Sequence, residues 1–511
     1  AAKNLLHQRI RKGSNTMWTS INQALNIIDN FVWGVPLMVL IIAGGLLLTI
    51  RLGLLQIRKL PLALKWMLQN EEGGKGEISS FSALCTALSA TIGTGNIVGV
   101  ATAVCAGGPG ALFWMVVAAF LGMATKYSEG LLAVKYRTVA EDGHSLGGPF
   151  YYIELGMGKN FKWLAKIFAF FGVCVGLFGI GTFSQVNGIS SAVHGFFDPN
   201  DAFTVKILPF LGEYSWSVVI ASLILSFCVA AVLIGGVKRI ASVSQIIVPF
   251  MAVIYFVFAV ILICCNITKV PAAFATIVTA AFSPKAITGG AVGSMLIAMQ
   301  KGVARGIFSN EAGLGSAPIA AAAAQTNSPV RQGLVSMTGT FIDTIIICTL
   351  TGLSIVLTGA WQVEGLEGVQ VTTYAFQHGL PFPAQFSSFI LMLCLVFFAF
   401  TTILGWDYYS ERCLEYLSGG NMKHVKIFRW IYILAVFIGP YMTVSAVWTI
   451  ADIFNGLMAI PNMIALFALS GVIVKETRAF FQHAKEEARA EHRSFEEVCE
   501  ENLNEEEAPA N

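Results

Sequence analysis

The sequence predicts an all-α membrane protein with about eleven transmembrane helices, and its composition and apolar pattern are the basis of this prediction. Of the 511 residues, 55% are hydrophobic and only 12% are charged, whereas globular domains carry about 25% charged residues. The apolar residues form continuous blocks of roughly the 20 residues that a helix needs to cross a bilayer. Strands of a membrane β-barrel would instead alternate apolar and polar residues over about ten positions. The lipid bilayer is therefore the expected environment, and the formal charge of +2 does not suggest nucleic acid as a partner.

Eleven apolar segments can be drawn along the chain, and the first of them precedes the others as an extra helix. The fourth segment is longer than one span, so we expect it to tilt or to extend beyond the lipid. The polar tail after Val474 becomes rich in Glu, which predicts a cytoplasmic helix that frays into disorder. The segments are 31–50, 80–104, 109–133, 164–195, 215–236, 240–265, 286–305, 334–358, 386–408, 427–447 and 452–474.

The loops differ in their content of Lys and Arg, which sets the orientation of a membrane protein. One side carries nearly all of these residues, including Lys301 and Arg305 at the end of the seventh segment. The opposite loops hold only Lys206, Lys269 and Lys285. This contrast predicts a multi-pass protein of the cell membrane with the N-terminus outside and the C-terminus in the cytoplasm. The basic N-terminal tail opposes this orientation, but many loops outweigh one tail.

Two of the segments contain residues that interrupt helices. The second places Gly93, Thr94, Gly95 and Asn96 at mid-membrane. Glycine costs roughly 1 kcal/mol relative to alanine inside a helix, and unwound backbone in a membrane is tolerated only where protein or a water-filled cavity surrounds it. The seventh segment contains Gly289, Gly290, Gly293, Met299, Gln300, Gly302 and Gly306.

The two interrupted segments occupy corresponding positions, because each is the first of five. Five is an odd number, so the second set of five must be inverted relative to the first. Matching breaks in two inverted halves favour the substrate site of a transporter, whereas the alternative is that the glycines only let helices pack closely. The predicted units are 1–78 (extracellular N-terminus, extra helix and cytoplasmic linker), 79–265 (first repeat), 266–474 (second repeat) and 475–511 (cytoplasmic charged tail).

The chemistry of the second segment suits an amino acid. A half-helix that begins near Gly95 presents free N–H groups and the positive end of its dipole to a carboxylate. The half-helix before it ends with free carbonyl groups near Ser89 and Ile92, which suit a cation that prefers oxygen ligands. Thr401 and Thr402 in the ninth segment could complete an oxygen site for sodium, or they could donate to carbonyl groups of their own helix.

Two sequence blocks also carry a family resemblance. Residues 107–116 read GGPGALFWMV, and residues 302–318 read GVARGIFSNEAGLGSAP. Both are similar to hallmark motifs of the alanine or glycine:cation symporter family, also called the sodium:alanine symporter family, although Val116 replaces a second tryptophan. The resemblance extends over nearly the full chain and implies the leucine-transporter fold, with ten core helices in two inverted halves after one extra helix. It also implies symport of a small neutral amino acid with Na⁺ as the coupling ion and no organic cofactor.

The same resemblance implies which residues form the site. Thr94 and Gly95 would bind the carboxylate, and Gln185 in the fourth segment would be a polar contact. Met299 and Trp406 would line the substrate side chain. The sodium site would comprise Ser89, Ile92, Thr401 and Thr402.

Charged residues within or near the segments leave alternatives open. Asp343 lies well inside the eighth segment, where an ionised carboxylate is costly. It could bind a proton or sodium, or pair with a neighbour, so a proton-coupled amino-acid transporter on the same scaffold is the alternative function. Lys126 and Glu129 indicate a gate or an interfacial pair. Asn310 and Glu311 indicate either a cytoplasmic gate contact or a loop cap.

Other classes of protein find little support in the sequence. The spacing of Gly93, Gly95 and Gly99 departs from a dinucleotide fingerprint, and no strand precedes it. The ten cysteines have no ligand spacing, so sodium is the only metal predicted. No nucleophile is paired with a base inside a segment, so an enzyme is not predicted. An ion channel would favour a repeated pore-lining motif, whereas the two interrupted segments are dissimilar.

Overall fold

A computed structural model describes residues 23–29, 31–69, 74–140, 143–206, 213–282, 295–441 and 444–490. Helices make up most of these residues. Two short antiparallel hairpins lie in loops and pair β1 (Thr138–Val139) with β2 (Ser145–Leu146), and β3 (Thr204–Lys206) with β4 (Glu213–Ser215). The principal helices are α1 (Val35–Arg51), α2 (Leu60–Leu68), α3 (Ser80–Thr91), α4 (Val100–Gly107), α5 (Gly110–Lys135), α6 (Lys162–Phe178), α7 (Phe183–Phe197), α8 (Trp216–Leu233), α9 (Gly236–Cys265), α10 (Val270–Phe282), α11 (Met295–Asn310), α12 (Ala317–Ala321), α13 (Pro329–Thr340), α14 (Thr349–Thr358), α15 (Val369–Gly379), α16 (Ala384–Leu417), α17 (Met422–Ile438) and α18 (Val444–Ala490).

Where the structure describes them, the eleven predicted segments each coincide with a helix or with a pair of helices; residues 286–294 of the seventh lie outside the described ranges. Among the described residues, seven helices are long and apolar enough to cross a membrane, and the bent pair of α3 and α4 makes eight if it counts as one span. The other three predicted segments correspond to the shorter helices α1, α11 and α17. The prediction of an all-α, multi-pass membrane protein is confirmed.

The second predicted segment is broken where its glycines lie. Helix α3 begins after Ser79, whose Oγ accepts a hydrogen bond from the Ser82 N–H, and such an N-cap satisfies one of the free donors of the first turn. The helix ends at Thr91, and the chain resumes as a π-helical turn over Gly95–Gly99 that leads into α4. The two halves are bent by 51°. We call residues 92–95 the first break.

The fourth predicted segment forms two helices, α6 and α7, within one candidate span of 39 residues. The turn between them, residues 179–182, lies close to other backbone. A Cβ on Gly181 would lie 2.6 Å from both the Gly176 carbonyl oxygen and the Trp406 Cβ. Only a residue without a side chain fits there, so the turn and α16 approach each other closely.

The described part of the seventh predicted segment, from residue 295 onward, is not interrupted. Gly289, Gly290 and Gly293 lie outside the described residues. Helix α11 runs without interruption through Gly302 and Gly306, so the predicted break at these two glycines is wrong. They allow close packing instead, which was the alternative explanation: a Cβ on Gly302 would lie 2.1 Å from the Ala111 carbonyl oxygen.

The interruption in this part of the chain follows Asn310. Glu311, Gly313 and Gly315 all have positive φ angles, of 58°, 92° and 80°, which stop the helix before α12 begins. We call residues 311–316 the second break. Positive φ is uncommon for a residue with a Cβ, so the conformation of Glu311 must be stabilised by its surroundings.

Lys301 and Arg305 lie at the opposite end of the bundle from the other basic loops, which corrects their assignment to the cytoplasmic side. Arg305 forms a bidentate pair with Asp452 near the start of α18, at 3.0 and 2.7 Å. The Trp33 indole before α1 donates to the Asp452 carbonyl oxygen at 2.7 Å. The seventh segment was predicted to end at residue 305. In the structure α11 runs on to Asn310, and the chain then continues through the second break into α12, so Arg305 lies well before that end.

The two breaks are brought together by helices that pack around them. Helix α5 packs against α11 and α13, and α3 packs against α9 and α16. Glycines permit the closest of these contacts: a Cβ on Gly333 would lie 2.8 Å from the Tyr127 carbonyl oxygen. Helices α10 and α15 were not predicted, because each is too short to cross a membrane. Helix α18 continues past Val474 to Ala490, beyond which the chain is outside the described residues.

Candidate functional site

The backbone of the first break is buried and hydrogen-bonded to side chains. The Gly93 N–H donates to Asn96 Oδ1 at 2.8 Å, and the Thr94 N–H donates to Gln185 Oε1 at 3.0 Å. Gln185 is therefore brought to the N–H group that the sequence assigned to a substrate carboxylate. Gly95 lies against α11, where a Cβ would lie 3.2 Å from Ser309 Cα.

The Thr94 side chain is also placed in this region. Its methyl group faces Gly188 of α7, where a Cβ would lie 2.4 Å from Thr94 Cγ2. Its hydroxyl oxygen is buried and has no hydrogen-bond partner among the described residues. Buried hydroxyl groups are nearly always hydrogen-bonded, so Thr94 Oγ1 has unused capacity to bind a ligand.

Three of the four predicted sodium ligands, Ser89, Ile92 and Thr402, lie where the end of α3 meets α16. The Thr402 hydroxyl donates to the Ile92 carbonyl oxygen at 3.2 Å and to the Phe398 carbonyl oxygen of its own helix at 3.0 Å. Ser89 Oγ would lie 2.8 Å from a Cβ on Gly405, so it faces α16, although it donates to the Thr86 carbonyl oxygen.

Thr401 directly precedes Thr402, but its hydroxyl contacts Met251 of α9, with Sδ 3.6 Å away, and bonds within its own helix. Its hydroxyl donates to the carbonyl oxygens of Phe397 and Phe398 at 3.1 and 3.0 Å. Both threonines thus make the back-bonds that the sequence left as an alternative. Thr402 also reaches the first break, so the structure connects Ile92 and Thr402 directly and leaves Ser89 and Thr401 nearby.

Asp343 is tied to both breaks by a cluster that the sequence did not reveal. Its carboxylate accepts hydrogen bonds from Asn96 Nδ2 at 2.7 Å, Ser309 Oγ at 2.8 Å and Thr344 Oγ1 at 2.6 Å. All four residues are buried. Asp343 lies in a π-helical stretch between α13 and α14, Phe341–Cys348. A mid-span carboxylate in the sequence was the signal for this cluster, but its partners come from distant segments.

Trp406 is fully buried and reaches the second break. Its indole N–H donates to Glu311 Oε1 at 2.8 Å, and its ring lies edge-on to Tyr409 with centroids 5.5 Å apart. Glu311 is itself fully buried and accepts a hydrogen bond from Ser316 in the second break, while Asn310 Oδ1 accepts the Ala312 N–H at 2.9 Å. These bonds agree with the loop-cap alternative, and the gate alternative stays a prediction. The turn-forming run of Gly313, Gly315 and Pro318 was the sequence signal for a break here.

Met299 lies apart from the other predicted site residues. It is half-buried and precedes Ser309, which contacts the first break, by ten residues of an uninterrupted helix. At 1.5 Å per residue, the two positions are about 15 Å apart along α11. The structure therefore does not bring Met299 to Thr94, Gln185 and Trp406.

Lys126 and Glu129, predicted as a gate or interfacial pair, are both buried inside the bundle. Glu129 Oε1 accepts hydrogen bonds from the Gly313 N–H at 3.1 Å and from Asn462 Nδ2 at 2.7 Å. The Asn462 amide also donates to the Gly313 carbonyl oxygen at 2.9 Å. Glu129 therefore connects α5 and α18 to the second break, and Lys126 is not one of its hydrogen-bond partners.

These features define the class of the protein. Non-helical backbone, carbonyl oxygens and hydroxyl groups converge inside a bundle of membrane-spanning helices, with side chains from α7 and α16 beside them. Irregular backbone at such a position is typical of transporters, which bind substrates and ions at interrupted helices. The chain is a multi-pass membrane transporter.

Comparison with known proteins specifies the family. The model of the sodium:alanine symporter family matches residues 18–494, so the chain belongs to this family, as its sequence motifs indicated. It is 46% identical to the sodium/alanine symporter AgcS of Methanococcus maripaludis over 91% of the chain and 98% of that protein. An uncharacterized transporter of Haemophilus influenzae is 55% identical over 91% of the chain and 97% of its own length. The amino-acid carrier protein AlsT of Bacillus subtilis is 35% identical over 92% and 94%.

Proposed function

We propose that this protein is a secondary active transporter that couples the symport of a small neutral amino acid, of the alanine or glycine class, to sodium by alternating access. The observation that carries the proposal is the convergence of Gln185 and Thr402 on the backbone of the first break, beside the buried hydroxyl of Thr94, for which the part of the chain that the structure describes supplies no partner. The relative named sodium/alanine symporter supports the same substrate and ion.

The substrate carboxylate binds at Thr94 and Gly95 in this proposal. The N-terminal end of a half-helix favours an anion, and Thr94 Oγ1 lacks a partner in the described part of the chain. Gln185 Oε1 accepts the Thr94 N–H at 3.0 Å, so the carboxylate takes over that donor and Gln185 turns to another atom of the substrate. The substrate side chain faces Trp406.

Sodium binds between α3 and α16 in this proposal, with oxygen ligands from Ser89, Ile92, Thr401 and Thr402. Support comes from the 3.2 Å contact of Thr402 Oγ1 with the Ile92 carbonyl oxygen, because the two oxygens already lie at the separation of neighbouring ligands. The Ile92 carbonyl belongs to the end of a half-helix, where carbonyl groups without intrahelical partners coordinate cations.

The surroundings of Asp343 favour sodium over a proton as the coupling ion. The carboxylate accepts three hydrogen bonds from side-chain donors, and only an ionised carboxylate is purely an acceptor. A proton relay would need to alternate between ionised and neutral forms, and the neutral form would lose part of this set.

The arrangement in the membrane completes the proposal. Residues 79–265 and 266–474 form two inverted halves of five helices in a leucine-transporter-like arrangement, preceded by the extra helix α1. The N-terminus is outside and the C-terminus is in the cytoplasm. The pair of Arg305 with Asp452 then lies on the extracellular side of the site.

Uptake of radiolabelled alanine into proteoliposomes tests the proposal. We expect accumulation that requires an inward sodium gradient, fails with potassium or choline and does not respond to a pH gradient. Alaninamide, which lacks the carboxylate, should compete poorly. Uptake driven equally by a pH gradient without sodium would favour the proton-coupled alternative, and equilibration without accumulation would indicate a channel.

A further inference from the structure

Glu311 occupies a position that the proposed substrate and sodium sites do not use. It is the first residue of the second break, it is fully buried, and its φ angle is +58°. A glutamate in the left-handed region inside a membrane bundle combines an unfavourable backbone conformation with a costly side chain. Its side-chain contacts must compensate for both.

The two carboxylate oxygens of Glu311 have different partners. Oε1 accepts the Trp406 indole N–H at 2.8 Å. Oε2 accepts the Ser316 hydroxyl, which lies at the other end of the second break. One side chain therefore connects the wall of the proposed substrate site to both ends of the break.

The Trp406 ring depends on this bond for its orientation. The indole nitrogen is a donor only, and Glu311 is the acceptor that the described residues supply. The rest of the fully buried side chain packs against its surroundings, including Tyr409, which lies edge-on to the ring, and Gly181, which lies against Cβ. These contacts restrict the base of the side chain and one side of the ring, while Glu311 determines the rotation that places the indole.

We infer that Glu311 is a positioning residue that sets the size selectivity of the transporter by orienting the Trp406 indole from within the second break. The inference rests on the proposed role of Trp406 as a wall of the substrate site. A buried donor left without its acceptor costs about 1–3 kcal/mol, so the indole is kept in the rotamer that reaches Glu311 and large side chains are excluded.

Weakening this bond should therefore change selectivity more than folding. In Glu311→Gln the side chain keeps its length and one carbonyl oxygen, but the acceptor is neutral. In Glu311→Ala the acceptor is absent, and the indole can move away from the substrate. Trp406→Phe removes the N–H group and reduces the ring, and it should abolish the influence of Glu311.

Competition experiments with the full-length protein in proteoliposomes test this inference. The readout is the ratio of the concentrations of leucine and alanine that halve the uptake of labelled alanine. We expect this ratio to fall about tenfold in Glu311→Ala, which corresponds to one or two methylene groups of discrimination, and to fall less in Glu311→Gln. Ser316→Ala, which removes the other hydrogen bond to Glu311, should leave the ratio near that of the wild type.

A double-mutant cycle separates positioning from a general structural role. In the Trp406→Phe background, the Glu311 substitutions should have no further effect on the ratio, because the bond they remove no longer exists. An unchanged ratio in Glu311→Ala, or an equal fall in the Trp406→Phe background, would overturn the inference. If Glu311→Ala does not fold, Glu311→Gln provides the same comparison. Wild-type uptake that needs no sodium would contradict the proposed function alone, because the ratio can still be measured.

Discussion

Gly93 is the position in the first break where one added carbon should most affect sodium coupling. A Cβ there would lie 2.5 Å from Thr402 Oγ1 and 3.0 Å from Gln185 Oε1. Non-bonded heavy atoms are in favourable contact at about 3.5 Å, so the overlap with the Thr402 hydroxyl is about 1 Å. We predict that Gly93→Ala displaces this hydroxyl from the Ile92 carbonyl oxygen.

The size of the effect on sodium dependence follows from how the Thr402 side chain can move to avoid the added methyl group. Rotation about its Cα–Cβ bond relieves the overlap but breaks the 3.2 Å hydrogen bond to Ile92. Loss of one such bond costs about 0.5–1.5 kcal/mol, so the protein should still fold. Displacement of a binding group by about 1 Å can reduce function about 100-fold. We therefore expect the sodium concentration for half-maximal uptake to rise at least about tenfold.

Gly99→Ala is the matched control, because Gly99 belongs to the same broken helix. The atom closest to a Cβ at that position is Arg305 Cδ, at 4.0 Å, which is an ordinary contact. Alanine is favoured over glycine in a helix by about 1 kcal/mol, so this variant should be as stable as the wild type or more so.

The assay is alanine uptake into proteoliposomes at a series of sodium concentrations, with thermal unfolding of both purified variants. Gly99→Ala should retain the sodium dependence of the wild type. The reasoning is refuted if Gly93→Ala also retains it, because Thr402 would then not be a sodium ligand.

Four further predictions concern single side chains. Thr402→Ala should raise the half-saturating sodium concentration about tenfold, equivalent to about 1.4 kcal/mol, with alanine affinity at saturating sodium nearly unchanged; a large loss of that affinity would contradict the assignment. Asp343→Asn should abolish uptake and lower the melting temperature, because buried donors lose their ionised acceptor. Asp407→Asn should preserve both uptake and melting temperature, since neither carboxylate oxygen has a hydrogen-bond partner within the described ranges; equal defects in the two variants would disprove this distinction. Burial, and then the charge of Asp452, raise the pKa of the Asp29 carboxyl to about 6. Because the folded protein holds this proton more tightly than the unfolded chain, the stability of the wild type relative to Asp29→Asn should fall as the pH rises from about 4 to about 6. Thermal unfolding at a series of pH values measures this difference, and a difference independent of pH would contradict the prediction.

The helices and the first break could be predicted from the sequence, because both depend on local composition. A block of about 20 apolar residues has few alternatives to a membrane helix. Two glycines beside polar residues at mid-span also weaken the helix locally. The 51° bend between α3 and α4 lies at the predicted glycines for this reason.

The second break could not be placed by the same reasoning. Gly302 and Gly306 weaken α11 locally, but the gap between α11 and α5 requires residues without side chains there, so they are helical. The actual break begins at Glu311, whose conformation depends on Trp406, 95 positions along the chain. Met299 was assigned to the site from the family resemblance, and its position in the uninterrupted part of α11 explains why the structure does not bring it there. A contact between residues so far apart in the chain produces no periodic pattern, so it cannot be predicted from a single sequence.

The hydrogen bond from the Thr94 N–H to Gln185 Oε1 has a consequence for binding affinity. Any carboxylate that takes this donor must first displace the amide oxygen, so Gln185 acts as an intramolecular competitor for the anion site. When a substrate carboxylate replaces the Gln185 amide oxygen at the Thr94 N–H, the gain in binding free energy is the difference between a hydrogen bond to a charged acceptor and one to a neutral acceptor. That difference is about 1 kcal/mol. That difference corresponds to only about a fivefold preference for the substrate at this donor. If the substrate carboxylate binds as proposed, weak net binding of this kind would let it dissociate readily on the far side of the membrane, and Gln185 would then affect turnover as well as recognition.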